Sequence, residues 1–161
     1  MKTKIPVYQP DLSGNERRYV LECLDSSWIS SIGSFIERFE AQVVEVTGTK
    51  HAIAVCNGTT ALHLALHCLG IGPGDEVIVP TFTYIAPVNA IVQVGAKPVF
   101  VDCHPEDWLL DTQGIGRLIT PRTKAILPVH LYGTACDMPS LQQIATDHGL
   151  FILEEIGRAH V

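Results

Sequence analysis

The sequence predicts an α/β fold, a mostly parallel sheet with helices on both faces, and two observations predict it. Short, almost wholly apolar, β-branched runs alternate with longer stretches of helical periodicity, the pattern of strand–helix–strand crossovers. A glycine follows most of the helical stretches, where a left-handed residue closes a helix. Two amphipathic helices come first, at 15–24 and 35–46, around a small-residue stretch, Ser26-Ser27-Trp28-Ile29-Ser30-Ser31-Ile32-Gly33. That stretch reads equally as a loop with one aromatic core anchor or as a substrate-facing loop. Strands are expected at 52–56, 76–79, 98–101, 125–129 and 151–154, each apolar enough to be covered on both faces. Between them the spacing predicts helices at 60–69, 85–94, 112–119 and 140–148. Gly48, Gly70, Gly95 and Gly149 stand where C-terminal caps belong, and Pro87 falls in a first helical turn, where its missing N–H costs little. No repeat and no Ser/Gly-rich linker divides the chain, so one domain, or part of one, is expected.

Composition narrows the partners. With 161 residues, 47% apolar and 17% charged, the chain can bury a core. A net charge of -6, with Lys and Arg scattered singly, argues against nucleic acid or an anionic membrane and for a small molecule. Nothing approaches the roughly 18 consecutive apolar residues of a membrane span, and the start of the chain lacks the apolar core of a secretory signal, so a cytoplasmic protein is expected. Cys23, Cys56, Cys68, Cys103 and Cys136 form an odd set without a C-x-x-C pair, which reads as reduced, mostly buried thiols. Cys56 has no base beside it in sequence. His63 and His67, four apart among leucines, read as helix-packing residues, and no metal site is expected.

The most informative local feature is Cys56-Asn57-Gly58-Thr59-Thr60-Ala61-Leu62, where an apolar run ends, a glycine turns the chain and a helix starts at two hydroxyl residues. Free N–H groups, the helix dipole and a close backbone approach suit a phosphate there. The same residues also suit ordinary helix capping, and neither a Walker loop nor a G-x-G-x-x-G turn is present. A second candidate, Val79-Pro80-Thr81-Phe82-Thr83-Tyr84, offers aromatic rings to a planar ligand, and a third is Pro128-Val129-His130-Leu131-Tyr132-Gly133, with Asp137 after it. All three follow predicted parallel strands and so converge on one edge of the sheet.

The ordered blocks NGTTALHLAL, GPGDEVIVPTFTYIAPVNAI, GAKPVFVD, TKAILPVHLYG and CDM, ending in LFILEE, resemble the fold-type I aminotransferases that act on nucleotide-linked keto-sugars, the DegT/DnrJ/EryC1/StrS type, from about residue 5 to residue 154. Within that family IPVYQP, LDSSWISSIG and HLYG look most like the branch that aminates GDP-4-keto-6-deoxymannose to GDP-perosamine, with glutamate as amino donor. The resemblance implies the large domain of a pyridoxal phosphate-dependent transferase, cut short, with pyridoxal 5′-phosphate as cofactor. It also implies a nucleotide sugar and glutamate as partners, and a homodimer in the full-length protein. Gly58, Thr59 and Thr60 would then hold the cofactor phosphate, Tyr84 would stack on the pyridine ring, and Trp28 and Ser30 would lie towards the sugar nucleotide. Glu155 stands where the family has an Asp paired with the ring nitrogen. The Schiff-base lysine of the family falls beyond the C-terminus, none of Lys2, Lys4, Lys50, Lys97 and Lys124 matches it, and the chain by itself is expected to be inactive.

Residues 1–154 thus read as the N-terminal part of that large domain and 155–161 as a non-native tail, since Glu-Ile-Gly-Arg-Ala-His-Val is one translated frame of a common sequencing-library adapter. An open sheet edge then predicts marginal stability. A dehydratase of the same family, with histidine in place of the lysine, and a non-catalytic module on the same fold are the alternatives.

Overall fold

The computed structural model of the chain describes residues 10–157, so most of IPVYQP and the last four residues of the expected tail lie outside the described part. The chain forms two compact units, residues 1–54 and 55–161.

The first unit holds α1 (Glu16–Asp25) and α2 (Ser34–Thr47), close to the expected bounds. Neither buries a residue; their apolar sides instead carry a ring contact between Tyr19 and Phe35, 5.2 Å between centroids, with the Arg18 and Arg38 guanidinium groups over Tyr19. Between the helices Trp28 is 58% exposed, so it is no core anchor among the described residues; its indole N–H donates to the Ile32 carbonyl. A methyl group on Gly33 would collide with that indole, which is why the loop has glycine there.

The expected strand at 52–56 does not form. Those residues straddle the boundary of the two units and join no sheet among the described residues, and the Ala54 N–H is taken instead by Glu40 Oε1 at 2.8 Å. An apolar run becomes a strand only when a neighbour takes its backbone hydrogen bonds.

The second unit is built on four parallel strands in the order β2-β1-β3-β4: β1 (Glu76–Pro80), β2 (Lys97–Val101), β3 (Thr123–Ile126) and β4 (Phe151–Ile152). Its helices are α3 (Gly58–Cys68), α4 (Ile85–Gln93), the short α5 (Thr112–Ile115) and α6 (Met138–His148). The single helix expected at 112–119 is instead α5 followed by a 3₁₀ turn over Gly116–Leu118. α4, with α3 packed on it, lies against β1 and β2, and α6 lies against β3 and β4; right-handed crossovers, the rule for parallel strands, set them on opposite faces of the sheet. β1, flanked on both sides, is buried throughout. The expectation of strands covered on both faces fails for the edges, where Phe100 of β2 and Phe151 of β4 are exposed. Leu66, Ile78, Ile91, Ile126 and Leu141 are the centre of the core.

Two further expectations are corrected. Only Cys136 is buried, while Cys56 and Cys68 are exposed, and His63 and His67 face outward from α3 rather than packing. All four capping glycines do adopt positive φ, from 64° to 82°. Gly95 is the most constrained, because its φ is 82° and a Cβ would lie 2.9 Å from Pro73 Cγ. Gly95→Ala is expected to cost about 2–3 kcal/mol, from left-handed strain plus overpacking, read as a lower urea midpoint at unchanged slope. No helix among the described residues is long and apolar enough to cross a membrane.

Candidate active site

Parallel strands send all their C-terminal ends to one edge, and the loops that follow carry the candidate residues. At the start of α3, Asn57 is extended (φ -168°, ψ 167°) and its Oδ1 accepts from the Thr60 N–H at 2.9 Å and the Thr60 hydroxyl at 3.1 Å. The N–H groups of Gly58 and Thr59 are left pointing out of the helix end, where no intrahelical acceptor exists. A Cβ on Gly58 would meet nothing within 4 Å, so the space beside this backbone is open. Tyr84 is the N-terminal flanking residue of α4 and is 57% exposed.

The two starts lie at the same end of a packed helix pair. Directly after α3, Gly72 and Pro73 abut Val94 and Gly95, directly after α4, so the C-terminal ends of the two helices meet. Because α3 and α4 also pack on one another, they run in the same general direction, which puts Gly58, Thr59 and Thr60 towards the edge that Tyr84 occupies after β1. Thr83 belongs to that edge too, and its buried hydroxyl is without a hydrogen-bond partner among the described residues. An open glycine backbone, two outward N–H groups and an unsatisfied buried hydroxyl fit an anionic ligand with a planar ring beside it.

The third stretch reaches the same edge. Leu131 and Thr134 exchange backbone bonds of 3.2 and 2.8 Å around Tyr132 (φ 51°) and Gly133 (φ 85°), a type I′ turn that holds a tyrosine in the left-handed region and presents it to solvent. Beyond β4 the chain stays extended: Leu153 N–H bonds to Ile126 O, Glu155 N–H to Pro128 O, and His130 N–H to Glu155 O. Glu155 is therefore at the C-terminal edge next to β3, and its Oε1 accepts from the Gly157 N–H at 2.9 Å. Burial pushes the Cys136 thiol up, and its Sγ is spent on the Val129 carbonyl, so it is no nucleophile. Cys56 lies 3.4 Å from the Thr60 hydroxyl and from the Asn57 amide nitrogen, with no base in contact among the described residues. Lys97 opens β2 and Lys124 is second in β3, both towards the opposite edge. Trp28 and Ser30 belong to the first unit, where a concavity of about 830 Å³ lies along α1 and is lined by Arg17, Arg18, Glu22 and Asp25 among others.

A family model matches residues 10–161, and its description is the DegT/DnrJ/EryC1/StrS aminotransferase family. The chain belongs to this family. It is 56% identical over 156 residues to the GDP-perosamine synthase of Caulobacter vibrioides, which covers 97% of this chain and 42% of that protein. The chain thus spans about two fifths of the length of this curated relative. Among solved structures, DesV of S. venezuelae in complex with a ketimine intermediate superposes with a TM-score of 0.83 at 45% identity, over 89% of this chain and 40% of that one. A GDP-4-keto-6-deoxymannose-3-dehydratase with a trapped PLP-glutamate geminal diamine gives 0.88 at 25% identity, over 97% and 42%. The aminotransferase fold expected from the blocks is the one observed. Sequence reading named the phosphate-type turn, Tyr84 and position 155, but it passed over Asn57 as the cap, the unsatisfied Thr83 hydroxyl and the pairing of His130 with Glu154. An Asx residue three before Thr60 was the available signal for the first; the other two depend on burial.

Proposed function

We propose that this chain carries the cofactor-binding edge of a sugar aminotransferase, one that moves nitrogen from glutamate to a GDP-linked 4-keto-6-deoxy sugar. The N–H groups of Gly58 and Thr59, with the Thr59 hydroxyl and that of Thr60 once it turns from Asn57 Oδ1, would hold the phosphate of pyridoxal 5′-phosphate. The dipole of α3 adds to that attraction. Tyr84 would lie against the pyridine ring, and the carboxylate at 155 would keep the ring nitrogen protonated. Trp28 and Ser30 would face the nucleotide sugar. When bound, the cofactor supplies an electron sink for exchange of nitrogen between an amino acid and a ketone.

The reading is supported by α3 and α4 packing together with their C-terminal ends adjacent, which aims both starts towards one sheet edge, and by the open space beside Gly58. Identity of 56% to a perosamine synthase, against 25% to the dehydratase, favours amination over dehydration. The apolar residues bare on α1 and α2, Val20, Leu24, Phe39 and Val46, support a homodimer for the complete enzyme. With Lys97 and Lys124 towards the opposite edge, we infer that residues 1–161 lack the nucleophilic lysine and are inactive alone, and that 155–161 are a non-native tail in place of a family aspartate at 155.

The chain is expected to bind pyridoxamine phosphate reversibly, with Tyr84→Ala weakening it about tenfold by loss of stacking. Stoichiometric pyridoxal phosphate followed by borohydride should label no lysine selectively. Absence of pyridoxamine phosphate binding in a folded chain, or selective labelling of one lysine, would count against the proposal.

A further inference from the structure

His130 is 6% exposed and has both ring nitrogens committed. Nδ1 accepts from the Cys136 N–H at 3.0 Å, so the ring proton sits on Nε2, which faces Glu154 Oε2 at 3.0 Å. One nitrogen therefore grips the far end of the turn that presents Tyr132, and the other grips the end of the β4 segment. Successive side chains of an extended segment leave on opposite faces. With Glu154 held on the His130 side, the side chain of residue 155 must emerge on the other. The backbone bonds from Glu155 N–H to Pro128 O and from His130 N–H to Glu155 O fix the height of residue 155 along β3, but they leave the rotation of the chain about its own axis to be held by side chains.

We propose that His130 is a positioning residue for this edge: it locks the 130–137 turn to Glu154 and thereby sets the direction in which the carboxylate at 155 leaves the strand. Its effect on ligand binding rests on the reading that residue 155 meets the ring nitrogen of a bound pyridoxal-type cofactor. The phosphate end of the site, at Gly58 and Thr59, is independent of it.

Three variants of the chain separate the two contacts. In His130→Asn the amide oxygen replaces Nδ1 as acceptor for Cys136 but nothing reaches Glu154; in His130→Gln the amide nitrogen replaces Nε2 as donor to Glu154; Glu154→Ala removes the acceptor itself. Pyridoxamine phosphate and inorganic phosphate are the probes, followed by titration calorimetry, with circular dichroism as the check on folding. Pyridoxamine phosphate affinity is expected to fall about tenfold in His130→Asn and Glu154→Ala and to recover to within about threefold of the parent in His130→Gln, the range of a charge-assisted hydrogen bond. Phosphate affinity stays at the parent value in all three. Long-range ¹H–¹⁵N correlations of the imidazole in the unaltered chain should show the proton on Nε2, a readout that needs no ligand and no variant.

A proton on Nδ1 overturns the inference. So does equal binding of pyridoxamine phosphate by His130→Asn and the parent, or a parallel loss of phosphate affinity. A parent chain that binds phosphate but gains nothing from the pyridine ring removes the functional reading, and the role of His130 in binding falls with it.

Discussion

Gly58→Val will abolish binding of pyridoxamine phosphate, by about a hundredfold or more, while the melting midpoint stays within about 2 °C of the parent. The separation follows from the backbone at that position. Gly58 opens α3 with ordinary helical geometry, and a Cβ there touches nothing within 4 Å. A Cβ therefore adds neither strain nor a clash at this position, and the helix propensity of valine exceeds that of glycine. What it fills is the space through which an anion would approach the Gly58 and Thr59 N–H groups. A structural glycine behaves in the opposite way, as Gly95 is expected to do. Titration calorimetry and thermal melts on the same samples check both halves of the statement.

The second large effect is on stability and lies at the opposite edge of the sheet. The Glu76 side chain is 3% exposed; it accepts from the Thr120 hydroxyl at 2.6 Å and from Arg122 at 2.8 Å, with Lys97 at 3.6 Å. The Thr120 hydrogen bond, then the pairing with Arg122 and Lys97, holds its carboxyl below the usual glutamate range despite burial, which pushes the other way. Glu76→Ala leaves the part-buried Thr120 hydroxyl without its acceptor, while the exposed Arg122 and Lys97 cations stay solvated, and a drop of roughly 3–6 °C in the melting midpoint is expected. The sign with pH follows from proton uptake. Between the lowered folded value and the ordinary unfolded value near 4.3, the unfolded chain binds the extra proton, so stability rises with pH there. The contribution of Glu76 is complete above the unfolded range and is lost as pH falls through the folded value. Acid unfolding of Glu76→Gln should accordingly be shallower than that of the parent below about pH 4.5; identical profiles would show that the carboxylate is silent.

Much of the fold was legible because it is set locally. Gly48, Gly70, Gly95 and Gly149 end helices where a left-handed residue is needed, and apolar runs mark β1, β2 and β3 to within three residues. What misled was any feature whose partner is distant in sequence. The run at 52–56 has the letters of a strand but no neighbour to bond to, and β2 and β4 read as buried strands although the sheet order makes them edges. Residue type for Cys56 and Cys68, and leucine neighbours for His63 and His67, point to the interior, yet all four are exposed. The same reasoning explains the site. Gly58, Thr59, Thr60 and Tyr84 announce themselves through turn chemistry and motif. The His130–Glu154 pair spans 24 residues and exists only once β3 and β4 are side by side; the Glu76–Arg122 pair spans 46 and exists only once β1 and β3 are.

The most direct test of the central claim is an amide chemical-shift map of the ¹⁵N-labelled chain titrated with pyridoxamine phosphate. Saturable shifts at Gly58, Thr59 and Tyr84, moving together with one dissociation constant, are the predicted result. Shifts confined to Glu76, Lys97 and Arg122, which line a cleft of about 330 Å³ at the other edge, with Gly58 and Tyr84 unmoved, would contradict it.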